Sequence, residues 1–137
     1  MPEEMKVRWT WLKIMYVYTL IGAGGFGLGY LLMPGVMIKM MGFPAQDPIT
    51  FGVAGSVFLA FALLSVLGLR SPLKFAPVLL LSLTYKLIWF IAVVVPLLIS
   101  RQFPGYASIM AVIFVTFIIG DLIAIPFPIV FAKEAGH

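Results

Sequence analysis

Four long apolar stretches constrain this chain more than anything else in it. They occupy residues 14–33, 49–69, 75–99 and about 106–131. Each reaches the roughly 20 residues that an α-helix needs to cross a hydrocarbon core of about 30 Å. None alternates apolar with polar residues, which argues against a transmembrane β-barrel. In lipid the helix then remains as the way to satisfy every backbone group within one segment. The expected architecture is an all-α, integral membrane four-helix bundle forming a single domain over residues 1–137. With 63% hydrophobic and 10% charged residues, a water-soluble globule is excluded on composition.

The first stretch follows Lys6, Arg8 and Lys13, as a signal peptide would. Its apolar run exceeds the roughly 7–15 residues of a signal h-region and no A-x-A site ends it, so a retained helix is expected. Four crossings put Lys6, Arg8, Lys13, Arg70, Lys74 and Lys133 on one side, and Lys39 and Arg101 on the other. The positive-inside rule then places both termini in the cytoplasm. Trp9 and Trp11, among the N-terminal basic residues, fit an interfacial belt. The basic bias therefore reports topology and some attraction to anionic lipid. No nucleic-acid partner is expected. The expected location is a bacterial cytoplasmic membrane.

Chemistry is restricted as sharply as fold. The chain has no cysteine, and its one histidine is His137, the last residue. Thiol redox chemistry, iron–sulfur clusters and a histidine-held haem in the core are excluded. No metal site and no cofactor are expected, because zinc and similar ions need several His, Cys or carboxylate ligands. No catalytic residue set stands out, and the expectation is a protein that is not an enzyme.

Lys86 and Asp121 are the only ionisable charges well inside the apolar stretches. Such groups are costly in a bilayer and turn toward a partner or a cavity. If the third and fourth helices form a hairpin about residues 102–103, Lys86 faces position 119. At 1.5 Å per residue that leaves an axial offset of about 3 Å from Asp121. Ser82 lies one turn before Lys86 on the same face, and Tyr85 and Trp89 flank it. The five residues Lys86, Asp121, Tyr85, Trp89 and Ser82 form the candidate site. One reading is a buried ion pair that sets helix register. The other is a pocket in which Lys86 anchors a polar or acidic head group, Asp121 orients Lys86, and Tyr85 and Trp89 form an apolar wall.

Small residues suggest where helices approach one another. Gly25 and Gly29 have small-x-x-x-small spacing, Gly52, Ser56 and Ala60 repeat it in the second stretch, and Gly120 lies beside Asp121. These are the expected packing positions within the chain, or at a homodimer face. The connector at residues 36–48 carries Met37, Met40, Met41 and Phe43 and is expected to lie in the outer interface. Pro96 is expected to bend the third helix, and Pro126 and Pro128 to kink the end of the fourth.

One resemblance is carried by residues 27–69. A glycine-rich first helix closes on Tyr30-Leu31-Leu32-Met33-Pro34, the connector reads Met40-Met41-Gly42-Phe43-Pro44, and residues 47–55 open a small-residue second helix. This resembles the DoxX-like superfamily of small four-helix membrane proteins. The resemblance implies the fold, and a role among subunits of membrane complexes, assembly factors and related proteins. Small multidrug transporters, by contrast, carry a glutamate in the first helix, and residues 14–33 hold no acidic residue. The functional expectation is binding of a lipid-like or amphipathic small molecule, or of a membrane-protein partner, at the Lys86 and Asp121 site. Its alternatives are a dimeric proton-coupled transporter and an assembly or scaffold subunit of a membrane complex.

Overall fold

The computed structural model describes residues 7–133, all helix and connection with no strand among them. Lys6 and His137 lie outside the described residues. The order is α1 (Trp9–Leu32), α2 (Pro34–Met41), α3 (Pro48–Arg70), α4 (Ala76–Trp89), a π turn (Phe90–Val94), α5 (Val95–Ile99), α6 (Ala107–Ala124) and α7 (Phe127–Val130). The π turn joins α4 and α5 into one rod, Ala76–Ile99. This rod, α1, α3 and α6 are long and apolar enough to cross a membrane, which makes the chain an integral membrane protein by length and composition.

Local chemistry sets the helix boundaries. Asp47 caps α3 by accepting the Thr50 N–H at 2.9 Å and the Thr50 hydroxyl at 2.7 Å, and Pro48 takes the first helical position. Gly42 ends α2 in the left-handed region at φ 73°. There its N–H reaches the Lys39 carbonyl and the Phe43 N–H reaches that of Ile38, a Schellman closure. The rod closes in the same way, with Arg101 at φ 58° in the position that usually takes glycine. Pro96 has no N–H to return to the preceding turn. The ladder adjusts by widening: Val95 N–H bonds the Phe90 carbonyl five residues back.

Some boundaries differ from expectation. The first helix begins at Trp9, not residue 14, because the N-terminal residues continue the helical turn. The fourth span stops at Ala124, not 131. Pro126 cannot continue the ladder, so Ile125 turns extended before the short α7. The Met-rich connector is a helix, α2, which buries Met37 and Met41.

The closest pairing is α1 with α3, and α6 packs on α1 and α4. One apolar core gathers Leu12, Met15 and Tyr16 with Leu79, Leu83, Phe117 and Ala124. A second, at the other end, gathers Tyr30, Met37 and Phe51. The α1–α3 seam is not the expected one. Gly25 faces open space, and so do Gly52 and the exposed Ser56. The backbones meet instead at Gly27 and Gly55. A Cβ on Gly27 would stand 2.7 Å from the Leu59 nitrogen and 2.9 Å from the Gly55 oxygen. A regular 3.6-residue helix offers several small-residue faces, and the aromatic and methionine side chains around Tyr30 decide which one packs. Gly29 and Gly120 do serve as packing positions, but against the side chains of Met37 and Met15 rather than against backbone.

Candidate functional site: a buried polar cluster behind an aromatic groove

Each long helix sends polar side chains inward. Thr19 comes from α1, Ser65 from α3, Ser82 and Lys86 from α4 and Asp121 from α6, all buried. Ser65 satisfies itself on the Phe61 carbonyl at 2.8 Å. Lys86, 3% exposed, folds back along its own helix. Its Nζ donates to the Ser82 hydroxyl at 2.6 Å and approaches the Ser82 carbonyl at 3.4 Å. It also lies over three aromatic rings, 4.3 Å from the Tyr85 centroid, 4.6 Å from Phe117 and 5.3 Å from Phe114. The ammonium is held by one hydroxyl and by ring faces, which attract cations most strongly when water is excluded.

Asp121 is 0% exposed, and neither carboxylate oxygen has a hydrogen-bond partner among the described residues. The expected pairing with Lys86 is therefore not a direct ion pair. Both residues are buried, on helices that pack against each other. The ammonium is bonded to the Ser82 hydroxyl instead. The Thr19 hydroxyl is likewise buried and without a partner.

Two spaces adjoin this cluster. The first, about 20 Å³, is lined by Thr19, Ser82, Lys86 and the Tyr85, Phe114 and Phe117 rings. It accommodates about one water-sized molecule, far too little for a lipid head group. The second is an open groove of about 480 Å³, within the range of small-molecule sites. Its walls include Tyr30, Phe43, Phe51, Trp89 and Tyr106, with Tyr85 and Phe114 shared with the first space. Tyr30 stacks on Phe51 at 4.0 Å, Phe43 meets Tyr106 edge-on at 5.8 Å, and Trp89 meets Phe114 at 5.1 Å. Gln46 is the one amide on the rim, and no lining residue carries a charge.

The sequence-derived site is thus divided. Ser82, Tyr85 and Lys86 come together around the small space, Trp89 and Tyr85 line the groove, and Asp121 lines neither. Sequence reasoning missed Thr19 and the distal groove walls, Tyr30, Phe43, Phe51 and Tyr106. Threonine in a helix commonly bonds its own backbone, so Thr19 carried no signal. The other four sit on α1, the connector, α3 and the segment before α6, and no spacing rule joins them. No group of three or more His, Asp or Glu side chains that could hold a metal occurs among the described residues.

Comparison with known proteins returns no significant match to a family model, a curated protein or a solved structure.

Proposed function

We propose that this protein binds an amphipathic, lipid-like molecule in the aromatic groove. The reading takes the four spans as a helix bundle with both termini cytoplasmic and the groove opening toward the outer interface. The observation that carries it is a groove of about 480 Å³ walled by aromatic rings from five separate segments. An apolar pocket with a few polar groups at its rim is the usual form of a small-molecule site. Lys86 and Asp121 act from behind the inner wall: Lys86 polarises Tyr85 and Phe114 instead of touching a head group. The resemblance of residues 27–69 to DoxX-like proteins belongs to this reading and supports the fold more than the ligand.

The test is native mass spectrometry of the protein released gently from its own membrane. A bound adduct is expected, and it should be lost from a Phe43→Ala/Tyr106→Ala variant that keeps its helical circular dichroism. The same adduct on both proteins would place the ligand elsewhere. A bare chain in wild type would end the reading.

A second reading has one observation in its favour. Asp121 is a fully buried carboxylate with no hydrogen-bond partner among the described residues, the kind of intramembrane acid that carries protons in transporters. It requires flux into liposomes that follows a pH gradient and disappears in Asp121→Asn. Flux indifferent to that change would dismiss it.

A further inference from the structure

Resting on the groove as the binding site, we propose that its ligand is uncharged and presents a flat, conjugated ring. Both properties follow from what surrounds the space.

The groove offers a charged ligand no counter-charge. Among the described residues, no Asp, Glu, Lys or Arg lines it. The buried ammonium of Lys86 stands behind Tyr85 and Phe114 and is already bonded to Ser82. An anion would leave water with no cation to meet it, and burying an unpaired charge is strongly unfavourable. A cage of aromatic rings usually points to a cationic ligand. Here the two inner rings already have an ammonium on their far side, at 4.3 Å and 5.3 Å from the ring centroids. A second cation would compete for the same ring electrons against a like charge. Both signs of charge are disfavoured, and the neutral molecule is left.

The walls select shape. Tyr30 stacked on Phe51, the Phe43–Tyr106 pair at the lip and Trp89 against Phe114 leave ring faces and edges turned to the space. Offset-stacked and edge-to-face arrangements favour a planar conjugated guest over a flexible chain. Polar recognition falls to the rim. Gln46 donates its amide N–H to the Pro44 carbonyl, which leaves its oxygen as an acceptor. The phenol hydroxyl of Tyr106 can donate to a carbonyl or ether oxygen on the ring.

Two dyes with the same anilinonaphthalene ring separate charge from shape: N-phenyl-1-naphthylamine, which is neutral, and 1-anilinonaphthalene-8-sulfonate, which is anionic. Phenyltrimethylammonium is the cationic probe. Trp9 and Trp11 are exposed and outside the groove, so Trp9→Phe/Trp11→Phe leaves Trp89 as the sole tryptophan reporter. The full chain in a neutral detergent should show saturable energy transfer from Trp89 to the neutral dye. Its binding should be at least about tenfold tighter than that of either ion, given the desolvation of an unpaired charge. Tyr106→Arg, which sets a cation at the lip, should shift the preference toward the sulfonate. That gain of binding distinguishes a changed site from a misfolded protein.

Tighter binding of the sulfonate or of the ammonium ion to wild type would overturn the inference while leaving the groove as the site. Saturable binding to none of the three would overturn both. Transfer that rises linearly with dye and is unchanged in Phe43→Ala/Tyr106→Ala would mean simple partition into the micelle, and would overturn both as well.

Discussion

Gly25 and Gly27 lie two residues apart on α1 and have opposite surroundings. A methyl group on Gly27 would press on the α3 backbone, which cannot rotate away as a side chain can. Gly27→Ala should therefore destabilise the protein by about 1–3 kcal/mol, the usual range for overpacking. Gly25→Ala meets nothing within 4 Å and should be neutral or stabilising by up to about 1 kcal/mol, through helix propensity. Thermal unfolding in detergent compares the two, and equal effects would contradict the Gly27–Gly55 seam. Lys86 and Asp121 pose a similar question. A buried ion pair broken on one side typically costs about 3–5 kcal/mol. Because Lys86 is bonded to Ser82 and no direct pair forms, while the two buried charges still attract each other through the core, the coupling between Lys86→Met and Asp121→Asn in a double-mutant cycle should be about 1–2 kcal/mol. A coupling of several kcal/mol would show a direct pair. Both charges were visible in the sequence as exceptions in an apolar background, but their partners depended on side-chain direction and were not.

At the scale of the element, the α3 cap and the rod's π turn are clear cases. The Thr50 hydroxyl and N–H hold the exposed Asp47 carboxyl below the usual carboxylate range. A carboxylate whose folded value is depressed contributes stability that is present above its unfolded value and is lost as pH falls through the folded one. The first turn of α3 should accordingly fray in acid, below the ordinary carboxylate range, and hold near neutrality. Amide hydrogen exchange at residues 50–52 would follow this, and Asp47→Asn should keep the cap yet abolish the acid-dependent step. Exchange that accelerates in acid equally in both proteins, beyond its intrinsic pH dependence, would refute the role of Asp47. The sequence already displayed this cap, because Asp-Pro before an apolar run is a local signal. It also displayed a perturbation at Pro96. It did not say that the helix would accommodate the proline by widening to a π turn, since that depends on what packs against the rod.

Considered as a whole molecule, two apolar cores lie at opposite ends, and the α1 start is clamped to the α3–α4 turn where the Tyr16 hydroxyl donates to the Pro72 carbonyl at 2.7 Å. Arg8 also donates to the Ile123 carbonyl at 2.9 Å, so the ends of α1 and α6 adjoin. These contacts put the first residues of α1, the α3–α4 turn and the end of α6 together, as four crossings require. Orientation is testable because the chain has no cysteine. In sealed vesicles of native sidedness, an impermeant maleimide should label Gln102→Cys from outside, and Ser71→Cys only after permeabilisation, following the basic bias of the loops. The reverse pattern would invert the topology and the side on which the groove opens.

The sequence by itself determined that the chain forms four helices long and apolar enough to cross a membrane, roughly where each begins, and which two charges are out of place. These are properties of single segments, governed by length, hydropathy and proline, and a linear string contains them. Tertiary structure alone decided that Gly27 rather than Gly25 meets α3, that Lys86 bonds Ser82 and not Asp121, and that rings from five separate segments line one groove. Each depends on helix rotation about its axis. Rotation is chosen by the mutual fit of many side chains at once, and no periodicity within one segment records it.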